Sequence, residues 1–114
     1  MNFSVLIPVG RREIEIGRLY DLADCLFHYE PQISEFVIVD DSWPARTFEG
    51  LAIPASCKLV ILPNPRRGSG DGWLGGLVAA LTTGCDWLER NSQCDFLVKV
   101  DTDTLVIAPF AEKV

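Results

Sequence analysis

The sequence predicts an α/β protein: a three-layer sandwich on a mostly parallel sheet. Two observations carry that prediction. Four short runs are apolar and rich in β-branched residues without the polar alternation of half-exposed strands, a pattern of strands buried on both faces. Between them lie stretches with apolar residues at three- and four-residue spacing, so helices would supply the covering layers.

The first run is Val5-Leu6-Ile7, closed by Pro8-Val9-Gly10. A helical stripe follows, formed by Ile16, Leu19, Leu22, Ala23, Leu26 and Phe27. The second run, Phe36-Val37-Ile38-Val39, ends in Asp40-Asp41-Ser42, and the third, Leu59-Val60-Ile61-Leu62, ends in the turn signal Pro63-Asn64-Pro65. A second helix is expected to start near Ser69 to Asp71. Trp73, Leu74, Leu77, Val78 and Leu81 would form its buried face and Gly84 its C-terminal stop. Trp87-Leu88 lead back to the fourth run, Phe96 to Val100, which ends in Asp101-Thr102-Asp103. All four runs are expected to be interior strands.

With 114 residues the chain reads as one domain, 1–114, without repeats or linkers. Hydrophobic residues make up 48% and charged ones 23%, as in an ordinary globular domain. A net charge of −6 argues against nucleic acid as a partner and gives no attraction to an anionic membrane. No apolar run approaches the roughly 20 residues that span a bilayer, so no transmembrane segment is expected. The N-terminus lacks a basic stretch, against a secretory signal. Cys25, Cys57, Cys85 and Cys94 lack zinc-site spacing and read as buried, reduced thiols of a cytoplasmic protein. Cys85 and Cys94 could meet, but nothing requires it.

In parallel sheets ligands sit beyond the carboxyl ends of the strands, and here those ends collect acid. Asp101 and Asp103 follow a buried strand two positions apart, costly unless their charge is compensated. Mg²⁺ or Mn²⁺, hard ions that prefer carboxylate and phosphate oxygens, would compensate it and bridge to a diphosphate. The same two residues could instead cap a turn by accepting backbone N–H groups. Of Asp40 and Asp41 only one can easily reach a given ligand, since adjacent strand residues face opposite ways. Such a carboxylate can accept the ring N–H of uracil, or else cap the loop after it.

The stretch Asn64 to Gly72 offers glycine-rich backbone at a helix start, suited to phosphate, with Arg66 and Arg67 as charge-assisted donors. A plain surface loop is the alternative. Arg11 and Arg12 could face the crevice or simply be solvated. His28, the only histidine, lies far from the strand ends.

The succession Ser4 to Val9, Phe36 to Ser42, the glycine-rich helix start, and Phe96 to Asp103 resembles family 2-like glycosyltransferases of GT-A (nucleotide-diphospho-sugar transferase) fold. Sixty positions separate Asp41 from Asp101, as suits that family. The stretch Asp95 to Val106 also resembles the D-x-D strand of eukaryotic β-1,3-galactosyltransferases. The resemblance implies a nucleotide-sugar site of Pro8, Val9, Asp41, Arg67, Gly68, Gly72, Asp101 and Asp103. Pro8 would line the pocket with its backbone and Asp41 would contact the base, most often uracil. Asp101 would lie near the ribose and the metal, and Asp103 would ligate the Mn²⁺ or Mg²⁺ that holds the diphosphate. The family's usual basic residue on the helix beneath the nucleotide has no obvious counterpart, because Trp73-Leu74-Gly75-Gly76 occupies the stretch.

Enzymes of this kind are longer, with the acceptor side and general base after the D-x-D. The expectation is therefore an incomplete enzyme whose general base lies beyond residue 114 and whose acceptor is unknown. Exposed core would favour a homo-oligomer. A non-catalytic binding or assembly module on the same scaffold is the main alternative. A nucleotidyltransferase should carry its glycine-rich loop after the first strand, where Pro8-Val9-Gly10-Arg11-Arg12 is a poor match. A receiver domain should carry its acidic pair after the first strand, and in a dehalogenase-type phosphatase Thr104 would come one residue later.

Overall fold

The computed structural model describes residues 2–42, 44–66 and 76–113. Strand β1 (Phe3–Val9) leads into helix α1 (Glu13–Tyr29) and strand β2 (Glu35–Asp40). Strand β3 (Lys58–Pro63), helix α2 (Gly76–Asn91), strand β4 (Phe96–Lys99) and a 3₁₀ turn (Ala111–Lys113) complete the order. The four strands form one sheet in the order β3-β2-β1-β4, and every pairing is parallel.

Register assigns the two faces. Val5 pairs with Phe36, and Ile7 with Ile38; these residues, with Phe3 and Val9, pack under α1 through Leu19, Leu22, Ala23 and Leu26. Leu6, Val37 and Val39 face the other way and pack against Ala80 and Leu88 of α2. The α1 stripe is the predicted one, with Ile16 and Phe27 at its half-buried margins. Helices on both faces give the α/β sandwich three layers. Among the described residues no helix is long and apolar enough to cross a membrane.

Two expectations need correction. Only β1 and β2 are buried on both faces; β3 and β4 are edge strands. Helix α1 leaves β3 uncovered on its side, exposing Leu59 and Ile61, whereas Leu97 of β4, on the α2 side, is 40% exposed. Lys58, on the β3 edge, places its Nζ 5.2 Å from the ring centroid of half-buried Trp87.

The second correction concerns α2. Its buried positions are Gly76, Ala80, Gly84 and Leu88, four apart, whereas Leu77 is 43% and Val78 67% exposed and Leu81 is half-buried. Small residues on this row let the helix backbone approach the sheet. A methyl added at Gly84 would overlap the Leu6 side chain. Gly84 is thus a contact point, and α2 continues seven residues past it to Asn91. Trp73, Leu74 and the expected helix start at 69–71 lie outside the described residues.

Buried polar groups pin the sheet's amino-terminal end. Glu35 accepts hydrogen bonds from Ser4 Oγ at 2.6 Å, Cys94 Sγ at 3.1 Å and the Ser92 hydroxyl. Burial pushes its carboxyl up, but these donors and the charge of Lys58 outweigh it and hold Glu35 below the usual range. Burial above all, then Glu35 and Cys94, pushes the Cys57 thiol up to about 11. All four cysteines are free thiols, but only Cys57 is buried; Cys25 and Cys94 are half-buried and Cys85 is exposed, which corrects the expectation of four buried thiols.

Candidate functional site

A cleft of about 240 Å³ opens where the strands end. Pro8, Val9 and Gly10 from the end of β1 line it, with Val39 and Asp41 from the end of β2. Arg12, Glu15 and Arg18 come from α1 and its N-cap position, Leu77 and Ala80 from α2, and Asp101, Thr102 and Asp103 from the loop after β4. Asn64 completes the lining. The structure therefore brings Pro8, Val9, Asp41, Asp101 and Asp103 into one cleft. Arg67, Gly68 and Gly72 lie outside the described residues.

The acidic pair divides its tasks. Asp40 is buried and taken up by the loop that follows it: Oδ1 accepts from Ser42 N at 3.1 Å and from Arg46 Nη2 at 2.6 Å, and Oδ2 accepts from Arg46 N at 3.1 Å. Arg46 Nη2 also donates to Gly10 O at 2.5 Å, clasping the β1 and β2 ends together. Capping falls to Asp40, while Asp41 lines the cleft.

Asp41 is held from β3. Asn64 Nδ2 donates to Asp41 Oδ1 at 2.8 Å and to Gly76 O at 3.0 Å, while Asn64 Oδ1 accepts from Arg66 N at 3.1 Å. A buried amide with all these partners is a bracket joining β2, β3 and α2. In the sequence it stood as a turn residue between two prolines and as the first residue of the glycine-rich stretch.

A second pair unseen in the sequence joins α1 to the loop after β4. The buried Thr102 hydroxyl donates to the Glu15 carboxylate. Gly10 makes room for it, since a Cβ there would lie 2.8 Å from Glu15 Oε1. The only trace in the sequence was the three-residue spacing of Arg12, Glu15 and Arg18, which puts them on one helix face.

In the D-x-D segment, Asp101 forms an ion pair with Lys99 Nζ, and Asp103 is exposed. The turn is closed by backbone, Thr104 N to Asp101 O at 3.0 Å. Among the described residues neither aspartate side chain accepts a backbone N–H, so the capping role is not what they perform. No three His, Cys, Asp or Glu side chains among the described residues cluster tightly enough to cage an ion. Asp101 and Asp103 both line the cleft, two carboxylates of the kind that Mg²⁺-type cations take alongside phosphate and water.

Arg66 is exposed and does not line the cleft, nor does Arg11, whereas Arg12 does. His28 is exposed in the last turn of α1, at the end away from the cleft.

Fold and cleft together define a parallel α/β protein with a polar, carboxylate-bearing crevice at the carboxyl edge of its sheet. No protein-family model matches the chain, and no curated protein matches it.

Proposed function

We propose that the cleft binds a nucleoside-diphosphate-sugar, with a uridine nucleotide favoured, together with Mn²⁺ or Mg²⁺, as the donor site of a family 2-like glycosyltransferase of GT-A type. The observation that carries this is the convergence of Asp41, Asp101 and Asp103 with the Pro8-Val9 backbone in one crevice. Parallel α/β sheets bind ligands in that position.

In this proposal Asp41, steadied by Asn64, accepts the ring N–H of the base. Pro8 and Val9 line the nucleotide's path. Asp103 and Asp101 hold the cation, with Asp101 also near the ribose. When bound, the cation supplies charge neutralisation on the departing diphosphate. Glu15, the fourth cleft carboxylate, is engaged by Thr102 and fixes the cleft's shape. No described residue is assigned as general base, so the proposal covers donor binding and leaves the acceptor open.

Thermal unfolding with Mn²⁺, UDP, both together, and GDP in place of UDP tests the proposal. A ligand at about 100 times its Kd adds roughly 2.7 kcal/mol, which raises Tm by on the order of ten degrees in a domain of this size. A rise only with UDP and Mn²⁺ together supports the reading. A larger rise with GDP would change the base, and no rise with any combination would sink the donor site.

A further inference from the structure

We infer that Arg18, on the α1 side of the cleft, is the phosphate-binding residue of this site. The inference deepens the proposed donor site and takes from it only that the ligand carries phosphate. The cleft holds three aspartates, so a diphosphate entering it needs cationic partners beyond a single metal ion. The sequence offered Arg66 and Arg67 for that task. Arg66 is exposed and does not line the cleft.

Arg67 lies outside the described residues, and the described positive charge lining the cleft comes from helix α1 and its N-cap position. Arg12, Glu15 and Arg18 lie three apart, and the bond from Thr102 to Glu15 turns that helix face toward the cleft. Glu15 would be the natural ion-pair partner for both arginines. Among the described residues it pairs with neither, and neither guanidinium forms an ion pair or hydrogen bond. Arg18 is half-buried and lines the cleft, and among the described residues its guanidinium has no acceptor. A planar guanidinium in that state matches phosphate oxygens in a two-pronged bond. Arg12, exposed at the rim, adds field.

Calorimetric titration of the full chain with pyrophosphate and Mg²⁺, and separately with UDP and Mn²⁺, tests this on Arg18→Gln, Arg18→Lys and the remote control Arg90→Gln. Arg18→Gln should weaken pyrophosphate binding about tenfold or more, and Arg18→Lys should recover part of the loss. Arg90→Gln, which removes the same charge at the far end of α2, should change it less than about twofold. Thermal stability without ligand should be equal in all four proteins, which separates binding from folding. Pyrophosphate affinity within twofold of wild type in Arg18→Gln, or an equal loss in Arg90→Gln, overturns the inference, as does a wild-type chain that binds no pyrophosphate. Should UDP bind with Mn²⁺ regardless of residue 18, the donor site stands and Arg18 falls. Should pyrophosphate binding need Arg18 while UDP binds no better than pyrophosphate, Arg18 stands and the nucleotide falls.

Discussion

Asn64 Nδ2 lies 2.8 Å from Asp41 Oδ1, and Asn64 itself is buried. The same nitrogen spends its other hydrogen on Gly76 O at 3.0 Å, so one side chain links the carboxylate assigned to the base with the described beginning of α2.

Asn64→Ala should therefore act on stability and binding together. Leaving Gly76 O and the Asp41 carboxylate without this donor costs about 1–3 kcal/mol, read from urea unfolding. UDP affinity should fall further than the stability loss alone would bring, because Asp41 loses one of the contacts that hold it. Unchanged unfolding midpoints would show that another group satisfies Gly76.

Asp103→Ala makes the opposite demand. The residue is exposed and supports no described contact, so the fold should shift by no more than about 0.5 kcal/mol. The Mn²⁺-dependent part of UDP stabilisation should vanish. Surviving metal dependence would remove Asp103 from the ion's shell.

Gly84→Ala probes the approach of α2 to β1. Overlap with Leu6 should outweigh the gain in helix propensity and leave a net loss of about 1 kcal/mol. Leu6→Val in the same background should cost less than it does alone, since it relieves the overlap. Strictly additive losses would mean that helix and strand separate without strain.

Acid stability should depend on Glu30. Burial raises its carboxyl, but the amides of Ala111 and Phe110 and the Gln32 side chain outweigh this and lower it below the ordinary value. As pH falls the unfolded chain takes up this proton first. The contribution is whole above about pH 4.3 and drains away as pH drops through the lower folded value. Glu30→Gln should flatten unfolding free energy against pH between about 5 and 3. An unchanged acid limb would assign the effect to other carboxylates, with Glu35 first among them.

These outcomes bear on residues that the sequence made legible to different degrees. β1 and β2 could be recognised as interior because the middle of each, Val5 to Ile7 and Phe36 to Val39, is an unbroken apolar run. Leu59, Ile61 and Leu97 carry the same apolar signal yet sit on edge strands, since composition does not say where a covering helix stops. In α2 large side chains drew the eye to Leu77 and Val78, while the contact is made by glycine and alanine, whose smallness is the reason the helix fits. Asp41, Asp101 and Asp103 stood out because acid after an apolar strand is local information. Asn64, Glu15, Thr102 and Arg18 join the cleft only through crossings of elements remote in sequence, 87 positions apart for Thr102 and Glu15.

That last bond has a mechanical consequence. Because Thr102 grips Glu15, the loop bearing Asp101 and Asp103 is bolted to a helix whose inner face is the protein's main core. That side of the crevice is thus set in advance by the fold, and a ligand arriving there has little of the loop at 101–103 to bring to order, which spares it the entropy that fixing a free loop would cost. The Arg46 clasp between Asp40 and Gly10 braces the other strand ends in the same way. On these two sides the crevice is a mould that the fold has already cast.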